Sequence, residues 1–169
     1  MENAKRGFEF VRLKDEETGE FLDEKKFKYA QLPEYQTRGS AGADFFAAQA
    51  VDIPPYDKTY NNKPFLVHTG IKAYMAEDEG LFLYNRSSNP GKKGLLLANS
   101  VGVVDSDYYN NPDNDGEIMF AFYNCRDEIV TINKGDRIGQ GVFTKFLRPE
   151  EGLRVKDEDR VGGIGSTGK

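Results

Sequence analysis

Asp105, Asp107 and Tyr108 close an apolar, β-branched run in "VGVVDSDYYNNPDNDGEI", residues 101–118. A carboxylate at a strand end can hold one water at hydrogen-bond distance and take its proton, and a nearby tyrosine offers a flat wall. The same letters also admit a metal loop or a solvated turn. "NPDNDG" (111–116) imitates the start of an EF-hand loop. However, Asn111 stands in first place and Phe122 in the twelfth, where a bidentate Glu belongs. The spacing therefore disfavours calcium, and a solvated hairpin loop is expected there.

Anion-binding types recur elsewhere. "NRSSNPGKKG" (85–94) offers Arg86 as a bidentate fork, with Ser87 and Ser88 as hydroxyl donors at a strand end. "GDRIGQG" (135–141) adds Arg137 and Gln140. The last ten residues, "RVGGIGSTGK", contain G-x-x-x-x-G-K. A P-loop needs a Ser or Thr after the Lys and a following helix, and the sequence stops at Lys169. Composition alone suggests a disordered glycine-rich end. Even so, Arg160, the glycine N–H groups, Ser166 and Thr167 are what a phosphate-closing flap would need.

These groups need a scaffold. At 169 residues the chain is long enough to bury a core, and one domain is expected. Lys and Arg number 23 against 28 Asp and Glu, a net charge of −5, which argues against direct nucleic-acid or anionic-membrane binding. No apolar run has the length of a membrane span, the start "MENAKRGFEF" has no signal-peptide core, and a cytoplasmic setting is expected. Cys125 is the only cysteine and His68 the only histidine, which excludes an intrachain disulfide and a two-His metal site and argues against a His-based triad and a structural zinc site. Cys125 reads as a small half-buried strand residue and His68 as an ordinary strand residue. The general base of a hydrolase built from this chain is then expected to be a carboxylate.

Period-two apolar runs lie between the 18 Gly and 7 Pro: "FLVHTGIKAYM" (65–75), "GLFLY" (80–84), "EIMFAFY" (117–123), "DEIVTIN" (127–133) and "RIGQGVFTKFL" (137–147). Many short strands without helical periodicity predict an all-β sandwich or barrel. Residues 13–30 allow a charged hairpin or a short helix.

Five segments in order resemble the trimeric dUTPases (dUTP diphosphatases), most closely the phage-encoded branch. They are "GSAGADFFA" (39–47), "RSS" (86–88), "NSVGVVDSDY" (99–108) with Gly116-Glu117, "GDRIGQ" (135–140) and "RVGGIGSTG" (160–168). The resemblance spans about residues 31–169. It implies a jelly-roll-like β-barrel of the dUTPase type over residues 1–148, assembled as a homotrimer. It also implies a flexible C-terminal arm over 149–169, mobile when the site is empty and ordered when it is filled.

The resemblance further implies hydrolysis of dUTP to dUMP and pyrophosphate with Mg²⁺. Asp105 would be the base. Tyr108 would press on the deoxyribose, and the hairpin with Asn99, Gly102 and Val104 would read uracil. Arg86, Ser87, Ser88 and Gln140 would hold the phosphates. Asp44 would hold a water of the Mg²⁺ shell, the substrate phosphates being the direct ligands. Arg160, Ile164, Gly165, Ser166 and Thr167 would close over the nucleotide. Arg137 and Asp136 are expected to serve structure or the subunit contact.

The family pattern is departed from in three places. "YNNPDND" (109–115) separates Tyr108 from Gly116-Glu117, Ile164 stands where an aromatic stacks in relatives, and Arg160 lies one residue closer to it than in many of them. Of the rivals, a dCTP deaminase shares the R-S-S segment but not the Asp-x-x-Tyr pairing. A regulatory protein binding a repressor-type partner through the acidic insert is the other reading, compatible with enzymatic activity. A catalytically silent nucleotide-binding trimer is disfavoured by the intact Asp105, Tyr108 and Arg86.

Overall fold

A computed structural model describes residues 5–56 and 63–151. Thirteen short strands run through them, all paired antiparallel: β1 (Gly7–Phe10), β2 (Arg12–Lys14), β3 (Phe21–Lys25), β4 (Ala43–Phe46), β5 (Val51–Ile53), β6 (Phe65–His68), β7 (Ile71–Tyr74), β8 (Glu79–Asn85), β9 (Leu95–Leu97), β10 (Val101–Val104), β11 (Met119–Asn124), β12 (Val130–Ile132) and β13 (Arg137–Lys145). The largest sheet has the order β10-β8-β13-β4, and a second has β6-β11-β9; β1-β7, β12-β5 and β2-β3 form ribbons. The all-β expectation holds, and residues 13–30 form the charged hairpin rather than a helix.

The core follows from the alternation. On β11, Phe120 and Phe122 are buried while Met119, Ala121 and Tyr123 stay half-exposed, as period two requires. Phe8, Phe45, Phe120 and Phe122 form a chain of ring contacts, with Phe8 edge-on to Phe45 at 5.4 Å. Glycines on β13 make room for it: a Cβ at Gly139 would lie 2.0 Å from the Phe120 ring. The dense glycine of "RIGQG" is therefore a packing requirement of the facing phenylalanines.

Four expectations need correction. "FLVHTGIKAYM" is two strands, not one. Gly70 takes φ +67 and breaks the run, so that β6 pairs with β11 and β7 with β1. Cys125 is exposed, because it follows the end of β11. His68 is not an ordinary strand residue; its Nδ1 lies 3.0 Å from Oε1 of Glu117.

Last, 111–116 is only in part a solvated loop. Asn111 is buried and Asp115 is wholly inside, leaving Asn110, Pro112 and Asp113 exposed. The buried carboxylate needs partners, and it finds them in Arg12 of β2 (2.5 Å) and Lys72 of β7 (2.9 Å).

Candidate active site

The structure gathers the residues expected to meet an anion at one end of β8. Asp44 and Gln140 face each other across the β4–β13 pair. Arg137 donates from Nη1 to Oδ2 of Asp44 at 3.1 Å, and Arg86 donates from Nη1 to the Arg137 carbonyl at 3.1 Å. Gln140 reaches the Asn85 carbonyl at 3.5 Å, and Gly42 leaves it space, since a Cβ there would sit 2.7 Å from its Oε1. Asp44, Arg86, Arg137 and Gln140 thus form one connected, partly exposed cluster, with Ser87 and Ser88 on the same turn. This arrangement is built to meet an anion, since guanidinium and amide donors converge with little burial to overcome.

Sequence reasoning missed the residue that holds the R-S-S turn. Asn89 is buried, and its Nδ2 donates to Oδ1 of Asn85 at 2.8 Å and to the Ile138 carbonyl at 2.9 Å. It opens a single π-helical turn, Asn89–Lys93, closed by Gly94 at φ 66. The only hint in the letters is an Asn before Pro-Gly. The pairing of Arg137 with Asp44 fits the structural role expected for Arg137, though the partner is invisible without the β4–β13 register.

The second group lies on β10 and the turn that follows it. Val101 and Val103 point outward, while Gly102 and Val104 are buried against β8. Gly102 cannot carry a side chain cheaply, because its Cβ would meet Leu83 at 3.0 Å. Asn99 is exposed just before the strand. Asp105 ends the strand in extended conformation and is exposed; a 3₁₀ turn, Ser106–Tyr108, follows at once. That turn swings Tyr108 into the core, where it is 5% exposed. Its hydroxyl donates to the Glu117 carbonyl at 3.1 Å.

Gly116-Glu117 shapes the floor. Gly116 takes φ +81, and a Cβ would lie 2.5 Å from the Tyr108 carbonyl oxygen. Glu117 is fully buried and accepts from Lys26 (2.7 Å), His68 (3.0 Å) and the Gly70 N–H (3.2 Å). Burial pushes its carboxyl up, but the bonds from His68 and Lys26 more than offset this and leave it below its ordinary value. Asp115 behaves likewise, with burial opposed by Arg12 and Lys72 and the net shift downward. Burial and a bond to Glu9 push the neighbouring Tyr109 hydroxyl up to about 12.

One chain does not unite the two groups. Val104 pairs with Leu81 and Val101 with Tyr84, so Asp105 leaves the sheet at the opposite end of β8 from Arg86. Roughly six residues separate them along the strand, on the order of 20 Å at ~3.4 Å per residue. Arg160, Ile164, Gly165, Ser166 and Thr167 lie outside the described residues. Among the described residues, no group of three or more His, Cys, Asp or Glu side chains is placed to hold a metal ion.

A family model described as dUTPase matches residues 28–168. The chain belongs to the dUTPase family. It is 48% identical over 145 residues to the deoxyuridine 5'-triphosphate nucleotidohydrolase of Lactococcus lactis, spanning 85% of this chain and 93% of that one. To the protein of the same name in Escherichia coli it is 35% identical over 155 residues, 88% and 94% of the two chains. The structure of the Streptococcus mutans dUTPase superposes with a TM-score of 0.70 at 41% identity, covering 85% of this chain and 98% of that chain. The dUTPase from phage phi11 of S. aureus shares the fold, with a TM-score of 0.60 at 22% identity over 78% of this chain and 92% of that chain. Phage members of the dUTPase family thus stand among the structural neighbours, at lower identity than the bacterial ones. This dUTPase-family chain is an all-β barrel, and none of its described helices is long and apolar enough to cross a membrane.

Proposed function

We propose that this chain hydrolyses dUTP to dUMP and pyrophosphate, which limits uracil in DNA and supplies dUMP, at a site completed between subunits of a homotrimer in the cytoplasm (the host's, for a phage-encoded chain). The observation that carries the reading is the contrast on the turn after β10. Asp105 faces solvent while Tyr108, three residues on, is almost wholly buried. The carboxylate takes a proton from a water, whose oxygen attacks the α-phosphorus as the bond to the bridging oxygen of the leaving pyrophosphate breaks. Such base catalysis is typically worth ~10²–10⁴-fold. Tyr108 is a wall that cannot recede, so a 2′-hydroxyl is excluded by contact with the ring. Backbone groups of β10 and the Asn99 side chain read the uracil edge, and a base with a mismatched donor pattern leaves them unpaired.

Arg86, Ser87, Ser88 and Gln140 hold the phosphate chain, and Arg160, Ser166 and Thr167 of the arm close over its end, with Ile164 and Gly165 over the base. Mg²⁺ bound by the substrate phosphates, with Asp44 holding a water of its shell, would offset negative charge on the leaving group. The positions of Asp105 and Arg86 at opposite ends of β8 support the shared site, since one chain supplies each half to a different centre. Exposed Val103 (58%), Leu96 (45%) and Leu66 (40%) are apolar surface that assembly would cover.

The test is Mg²⁺-dependent pyrophosphate release from dUTP, dCTP, dTTP and UTP. Release confined to dUTP and abolished in Asp105→Asn is the expected result. Release from none of them, or ammonia from dCTP, would overturn it.

A further inference from the structure

The residues between Tyr108 and Gly116 add length where a direct run would serve, and Asn114 lies near their end. Its Oδ1 accepts the Gly116 N–H at 3.1 Å, and its carbonyl accepts the Glu117 N–H at 3.2 Å. Because Oδ1 faces a backbone N–H, the side-chain nitrogen must face the other way. There Nδ2 donates to the Tyr108 hydroxyl at 2.8 Å. The hydroxyl accepts from Asn114 and so sends its own proton to the Glu117 carbonyl at 3.1 Å. Two bonds at the tip of the Tyr108 ring thus come from the stretch 114–117.

That stretch is itself anchored by the β2–β3 hairpin with the segment after it and by β6 and β7. Arg12 and Lys72 grip Asp115, Lys26 and His68 grip Glu117, and Lys14 donates to the Pro112 carbonyl at 2.8 Å. Arg12 and Lys14 belong to β2, and Lys26 follows β3 directly. The charged hairpin of the first thirty residues therefore braces the inserted loop, and the loop braces the ring.

We propose that Asn114 is a positioning residue for sugar discrimination, acting on the ligand only through the Tyr108 hydroxyl. This rests on the dUTP-hydrolysis reading above and deepens it. The inserted loop is then part of the selectivity apparatus, and the β2–β3 hairpin its support. A ring held at its tip by two hydrogen bonds cannot tilt to admit a 2′-hydroxyl. With one bond removed it has the freedom to do so.

The test measures kcat and KM for dUTP and UTP in four proteins: wild type, Asn114→Ser, Tyr108→Phe and the double variant. Serine keeps an oxygen able to accept the Gly116 N–H but is too short to reach Tyr108. The dUTP-over-UTP ratio of kcat/KM is expected to fall roughly five- to tenfold in Asn114→Ser, the scale of one net hydrogen bond. The change should come mainly from turnover of UTP, with dUTP kcat little altered. Tyr108→Phe should lower the ratio at least as much, and the double variant should show no further fall.

A thermal melt accompanies each protein. An unchanged ratio in a folded Asn114→Ser, an equal loss for both nucleotides, or additive losses in the double variant would overturn the proposal alone. A wild type that hydrolyses neither nucleotide, or both equally, would instead bring down the reading on which it rests.

Discussion

The two halves of the site are held in opposite ways. Around β4, β8 and β13 the charged groups are tied by one bond each and stay in reach of water; the Arg137–Asp44 pair has side chains 41% and 14% exposed. Behind the turn after β10, Asp115 and Glu117 show no exposed surface, and four side chains from β2, β6, β7 and the segment after β3 converge with backbone N–H groups on them. The difference matches the role proposed for each half. A phosphate chain with its cation carries full charges that exposed arginines can follow as it settles. Excluding one hydroxyl needs a surface that does not yield, and buried, fully bonded ion pairs supply that rigidity.

The largest effect that would sharpen this contrast is at Asp105. Asp105→Asn is expected to lower kcat ~10²–10⁴-fold with nucleotide binding retained, checked by turnover and calorimetric titration of a non-hydrolysed analogue. Loss of binding with kcat intact would instead make Asp105 part of the grip.

Next come the buried carboxylates. Asp115→Ala leaves Lys72, itself 3% exposed, without its buried carboxylate partner and with the exposed Glu9 at 4.0 Å. About 3–5 kcal/mol of stability should be lost, read from urea unfolding. The matching change in the other half, Arg137→Ala, should cost under about 1 kcal/mol of stability, since that pair is exposed and screened. Similar costs at the two positions would erase the difference.

Acid should act on the same half. Asp115 and Glu117 are both held below their ordinary values, so the stability they add is fully present above the unfolded-chain values of 3.8 and 4.5. It is lost as pH falls through the lower folded-state values. Thermal melts should therefore show a falling Tm below about pH 4.5 in wild type, and a shallower fall in Glu117→Gln. The smallest expected effect is that of salt on the Arg137–Asp44 side, where high ionic strength should weaken nucleotide binding more than it lowers Tm.

The anion half was largely legible in the letters because its residues sit within short motifs: Arg86, Ser87 and Ser88 are consecutive, and Gln140 lies three after Arg137. The strand pattern was legible for the same reason, since alternation is local. What stayed hidden depends on pairs remote in sequence. Arg12 and Asp115 are 103 residues apart, and Lys26 and Glu117 are 91 apart. Without those partners, an Asn-Asp-rich run reads as solvated, and nothing in it announces that Asp115 turns inward. His68 and the break at Gly70 were missed likewise, because a positive φ inside an apolar run leaves only a glycine as its trace.

Asp105 and Arg86 are proposed to serve one centre from different chains, and mixed trimers test this directly. Asp105→Asn and Arg86→Ala proteins, each inactive alone, would be unfolded together at equal amounts and refolded, and dUTP turnover measured. Random mixing should restore about a quarter of the sites, since each then draws one intact half from each neighbour. Recovery near that level is the predicted result. No recovery from mixed trimers confirmed by mass spectrometry would place both residues in a single chain's site and contradict the account.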